Sequence, residues 1–114
     1  MLTIEKLKHF GCNTDEGLMR CMNNEAFYFR MIGILKDSPD FDNLYKTIDA
    51  KDYKAAFVCA HTLKGVVGNL SITPLFRPIQ EITEYLRNNT EMDYSVLINE
   101  IRVYKAVLDK LIEE

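Results

Sequence analysis

Apolar residues in this chain recur three and four positions apart over most of its length. That spacing lines up side chains along one side of a helix, whereas a half-buried strand alternates them every second position. Tyr53, Ala56, Ala60, Leu63, Val67 and Leu70 follow it, and so do Tyr94, Leu97, Ile101, Tyr104, Leu108 and Leu111. Five Gly and three Pro in 114 residues leave little turn material, which argues against many short strands. The chain therefore reads as all-α. Its length suits one domain, residues 1–114, around one core.

Local signals divide the helices. A short amphipathic helix, Ile4 to Phe10, follows Thr3 and breaks at Gly11-Cys12-Asn13. Thr14 reads as an N-cap, with Asp15 and Glu16 set favourably against the helix dipole. That second short helix carries Leu18, Met19 and Met22 and stops near Asn23-Asn24. Asn24 caps the next, Glu25 to about Lys36, with Phe27, Met31, Ile34 and Leu35 expected in the core. Ser38-Pro39 pairs a capping hydroxyl with proline at the first helical position, and Thr73-Pro74 repeats the device. The helix after Ser38-Pro39 should bury Phe41, Leu44, Tyr45 and Ile48. Asp52 caps a helix running to about Asn69, Thr73-Pro74 opens one to about Arg87, and the last starts between Thr90 and Asp93. Four longer helices with short connections and one apolar seam apiece predict an antiparallel up-down four-helix bundle, with the short N-terminal helices covering one end.

Composition excludes several functions. The formal net charge is -3 and the Lys and Arg residues are scattered, so nucleic acid is not an expected partner. No apolar stretch approaches the roughly 20 residues that span a bilayer, and the N-terminal segment lacks the apolar core of a signal peptide. A cytoplasmic protein is expected. Cys12, Cys21 and Cys59 are odd in number and form no C-x-x-C pair, which fits buried, reduced thiols. With only His9 and His61 as imidazoles, no metal site is expected, and His9 reads as a surface residue near a helix end.

The segment Ala60-His61-Thr62-Leu63-Lys64-Gly65 carries the chemistry. The seam from Tyr53 to Leu70 defines a buried side, and His61, Lys64, Gly65 and Gly68 are expected on the face away from it. The histidine is then displayed to solvent. Glycine inside a helix costs roughly 0.5–1 kcal/mol relative to alanine, so two on an exposed face call for a reason. Close approach of another molecule is one; for Gly68, followed by Asn69, a C-cap is the alternative. Phe57, one turn before His61, and the flanking Val58 form either a docking patch or, for Phe57, packing against an N-terminal helix.

A neutral imidazole attacks phosphoryl groups near neutral pH, and the product carries nearly two negative charges that Lys64 can pair with. Phosphoryl transfer depends mainly on positioning and charge stabilisation. The chain shows no Gly-rich nucleotide loop and no acidic metal cluster. A partner is expected to bring the phosphoryl group and the metal, and no cofactor is expected.

These residues resemble the histidine-containing phosphotransfer (HPt) domains of multistep two-component phosphorelays. The match is A-H-T-L-K-G at Ala60 to Gly65, continuing through Gly68-Asn69-Leu70. Asp15-Glu16-Gly17-Leu18 looks like the family's entry helix, Phe27-Tyr28 begins its first long helix, and Asp52-Tyr53 precedes the histidine helix at the usual distance. The resemblance implies that His61 accepts phosphate through Nε2, that Lys64 contacts its oxygens, and that Gly65 and Gly68 admit the partner. That partner would be the receiver domain of a response regulator or hybrid histidine kinase, whose aspartate and Mg²⁺ exchange the group with His61. Three positions depart from the family. Ser71 stands where glycine is frequent. Val66 replaces a commonly small residue and is expected to turn away from His61. Pro78, inside the helix opened by Pro74, should kink that helix or delay its start. Gln80 is a further residue within possible reach of His61.

The resemblance implies a phosphocarrier and not an enzyme, expected as a monomer. A dimerising kinase core would need a pair of long helices and a nucleotide domain, neither of which is visible. The alternative is a helical-bundle docking module for a receiver or kinase that takes no phosphate; it would have no need of His61.

Overall fold

The computed structural model describes residues 1–114 and is helical, with no strands. Seven helices follow in order: α1 (Ile4–Phe10), α2 (Thr14–Arg20), α3 (Glu25–Lys36), α4 (Asp40–Asp49), α5 (Tyr53–Asn69), α6 (Thr73–Arg87) and α7 (Ser95–Glu113). The helical bundle expected from the periodicity is the architecture observed, with α3 to α7 as its longer members. From α4 onward each helix packs on the next, and α3 closes against α7. Helices α1 and α2 pack on each other, and α2 packs on α3. No helix is long and apolar enough to cross a membrane.

Capping side chains set most of the helix starts. Thr3, Asn24 and Asp52 each accept a hydrogen bond from the backbone N–H three residues on, the pattern that relieves orphan donors at a helix start. Gly11, at φ 114, ends α1 and returns its N–H to the carbonyls of Leu7 and Lys8; that left-handed conformation favours glycine. Ser38 Oγ accepts from the Asp40 N–H at 3.2 Å, so the capping hydroxyl works as expected although α4 begins one residue after Pro39.

Four readings of the sequence need correction. The cap of α2 is Asn13, whose side chain accepts from the Glu16 N–H; Thr14 is buried, and its hydroxyl has no partner. In α3 the buried residues are Tyr28, Ile32 and Leu35, while Ile34 is 56 % exposed. The inward face of α3 is rotated because Tyr28, not Phe27, is drawn into the core: its Oη donates to the Leu70 carbonyl at 2.8 Å. Pro78 does not delay α6, which starts at Thr73 and buries the proline ring within it. The last helix begins at Ser95, slightly later than expected, behind Tyr94.

One cluster of buried side chains runs from Leu2 to Leu108 and draws on every helix except α2. Ala56, Ala60, Leu63 and Val67 are its α5 contribution, continued by Leu70 just past the helix end, with Tyr53 half-buried at the start. Each fully buried Leu, Ile or Val in such a seam contributes about 1.5–3 kcal/mol. The rotation of α5 about its own axis is thereby set, and with it what the helix presents outside. All three cysteines are free; Cys12 and Cys21 are buried and Cys59 is half-buried.

Candidate functional site

His61 is exposed near the middle of α5. Helix geometry sorts its neighbours into two flanks. At about 100° per residue, Phe57, Lys64 and Gly68 fall on one side of His61 and Val58, Gly65 and Asn69 on the other. The first flank leans against α6 and the second opens toward α3.

On the α6 flank the side chains are engaged. Phe57 is half-buried, its ring 5.6 Å from the His61 ring, with the Arg87 guanidinium 5.1 Å from its own centroid. That separation is within the range of a cation–π contact. Phe57 therefore packs against Arg87 of α6. Lys64 is 28 % exposed by its side chain, and its Nζ lies 3.8 Å from Glu84 Oε1. The same carboxylate oxygen lies 3.4 Å from Arg87 Nε. Lys64 is thus not the free solvent-facing cation expected from the sequence. Its position on the helix turns it to the α5–α6 seam, where it meets a carboxylate.

The two glycines separate. A β-carbon at Gly65 would meet nothing within 4 Å, so the space beside His61 is open there. A β-carbon at Gly68 would lie 2.8 Å from Phe76 Cε1. The space beside Gly68 is taken by a ring of α6, which lets the two helices approach closely. Gly68 is not a C-cap: α5 continues through Asn69, and the left-handed residue beyond it is Ser71, at φ 57. Glycine adopts that conformation freely and serine does not. Ser71 is held there in company with Arg20, whose Nη1 donates to Ser71 Oγ at 3.2 Å and to the Gly68 carbonyl at 2.7 Å.

On the other flank lies a shallow hollow of about 450 Å³ bordered by Met31 of α3 and by His61, Thr62, Gly65, Val66, Asn69 and Leu70. Val66 is partly exposed and borders the same hollow as His61, contrary to its expected orientation. Val58 is 61 % exposed. His61 therefore stands between an open, largely apolar hollow and a line of alternating charge.

Sequence reasoning missed Met31 and Glu84 as neighbours of the site; Gln80 is exposed on α6. Glu84 leaves one weak trace. It lies three residues before Arg87, its nearer cation, but its other cation, Lys64, is twenty positions back in the chain. His9 is exposed in the last turn of α1, remote in sequence from these residues. No group of three or more His, Cys, Asp or Glu side chains is placed to hold a metal ion.

A family model described as Hpt domain matches residues 37–114, more than half of the chain and all of α4 to α7. No curated protein and no solved structure matches it.

Proposed function

This chain belongs to the Hpt domain family, the phosphotransfer modules of phosphorelays, and from that premise we propose that His61 is its phosphoacceptor. The group comes from the aspartyl phosphate of one receiver domain and goes to the aspartate of another. His61 Nε2 directs its lone pair at phosphorus; the N–P bond forms as the acyl O–P bond breaks, and the receiver's carboxylate leaves with the electron pair. Delivery is the same step reversed. The receiver supplies the metal that steadies the moving charge. Lys64 pairs with the oxygens of the phosphoimidazole, a charge-assisted contact. Gly65 and the hollow beside it admit the receiver, with Val58 at the rim.

The observation that carries this reading is the solvent exposure of His61 beside a glycine whose missing side chain leaves open space. Buried or hemmed in, the imidazole would be out of a visiting aspartyl phosphate's range. The whole chain, residues 1–114, is read as one such domain, because the core that holds α5 also draws on Leu2, Leu7 and Cys12, ahead of the family match, and it is read as working as a monomer.

The test is incubation with a receiver domain phosphorylated on its aspartate. The wild-type chain should acquire an acid-labile, base-stable label, and His61→Gln should remain folded and acquire none. Normal labelling of His61→Gln removes the assignment. Stable receiver binding with no label on the wild type would instead favour a docking module.

A further inference from the structure

The face that carries His61 also holds a carboxylate that a phosphoryl-binding surface does not call for. Glu84 is 53 % exposed by its side chain and places one oxygen 3.8 Å from Lys64 Nζ and 3.4 Å from Arg87 Nε. Arg87 in turn lies over Phe57, whose ring is 5.6 Å from the imidazole. The two cations nearest His61 on this flank therefore share a single anion. Lys64 is one helical turn from His61, close enough to reach an oxygen carried on its ring.

We infer that Glu84 is a positioning residue that acts through Lys64: it holds the ammonium at the α5–α6 seam in the resting protein and must yield it when a phosphoryl group arrives. This rests on the reading of His61 as phosphoacceptor. The physical argument is competition. A phosphoimidazole and the Glu84 carboxylate are both acceptors for the same ammonium, and each repels the other. Leaving Glu84 exchanges one ion pair for another, so Lys64 contributes less to the phosphorylated state than an unpaired lysine would. The group is held loosely enough to be passed on. Glu84 thereby tunes how readily the chain accepts and releases phosphate without touching the phosphorus itself.

The experiment needs no cognate partner. Phosphoramidate phosphorylates imidazole directly: the His61 Nε2–P bond forms as the reagent's P–N bond breaks, and its nitrogen leaves as ammonia after taking a proton from water. Labelling rates are measured for the parent chain, Glu84→Gln, Glu84→Asp and His61→Gln, all in a His9→Gln background because His9 is also exposed, at low salt and at roughly 1 M salt, where the Debye length is about 3 Å. Glu84→Gln should label about two- to fivefold faster than the parent at low salt, in line with an exposed ion pair. The advantage should close at high salt, and Glu84→Asp, which keeps the charge, should stay near the parent. Packing alone would not depend on salt in this way. A Glu84→Gln rate equal to or below the parent's at low salt overturns the inference, as does an advantage that persists undiminished at high salt. Labelling of His61→Gln at the parent's rate overturns the phosphoacceptor reading and this inference with it. An unlabelled His61→Gln beside an unchanged Glu84→Gln sinks the inference alone.

Discussion

The Phe76 ring occupies the space left by the absent side chain of Gly68, its Cε1 2.8 Å from where a β-carbon would stand. Three residues earlier in the sequence, Gly65 faces nothing within 4 Å. Two glycines that look alike in the sequence thus serve different ends, one letting α6 approach α5 and the other leaving a surface bare.

Substitution by alanine should separate them. Gly65→Ala should stabilise the fold by roughly 0.5–1 kcal/mol through helix propensity and slow phosphate exchange with a receiver. Gly68→Ala should destabilise it, because the overpacking cost of about 1–3 kcal/mol outweighs the same gain. Urea unfolding of both variants checks the opposite signs; a Gly68→Ala as stable as Gly65→Ala would mean the ring moves aside freely.

Lys64→Ala should leave the melting temperature nearly unchanged, since its ion pair with Glu84 is long and partly solvated. Phosphate transfer through His61 should slow about tenfold, the value of one charge-assisted contact. Single-turnover transfer from a phosphorylated receiver measures it, and an unaltered rate would strip Lys64 of its role.

The buried Tyr28 hydroxyl should prove important to stability although it is far from the imidazole in sequence. Its hydrogen bond to Leu70 O ties α3 to the end of the histidine helix. Tyr28→Phe should cost about 1–3 kcal/mol by leaving that carbonyl unpaired. Gly17→Ala should also destabilise, because its β-carbon would lie 2.5 Å from Tyr28 Oη and 2.8 Å from the Leu70 carbonyl. Chemical denaturation curves decide both; a fully stable Gly17→Ala would show that this junction yields.

Alkali should weaken the fold through two buried groups. Burial pushes the Cys12 thiol up from 9.0 to about 12. Burial likewise raises the Tyr45 hydroxyl from 10.0 to about 12, with Arg102 opposing the rise. The unfolded chain releases these protons at lower pH than the folded one, so the unfolded state gains relative stability. Their contribution is complete below about pH 9 and falls away as pH climbs toward 12. Thermal unfolding under reducing conditions should show a plateau below the first value and a decline above it. A melting temperature flat throughout that range would contradict the burial of these groups.

Much of the helical plan was legible because its signals are local. Thr3, Asn24 and Asp52 cap helices that start where those side chains imply, since a capping bond spans only three residues. Thr14 misled because Asn13, beside it, is an equally good cap, and only packing decided which of the two turned inward. Ile34 misled for a similar reason: α3 offers more apolar positions than one face can bury, and the Tyr28 bond to Leu70 selects the rotation.

For the candidate site, the order of residues along α5 was enough to put His61 outside and the Ala56–Leu70 seam inside, because 3.6 residues per turn leaves no other choice once the apolar side is buried. The sequence by itself therefore determined a helical protein whose α5 displays an imidazole, a nearby lysine and a bare patch of backbone. The tertiary structure alone decided which neighbour is free and which is spoken for. Glu84 and Phe76 belong to a different helix, and the face they turn toward Lys64 and Gly68 follows from how α6 packs on α5, a relation that no spacing within either helix encodes.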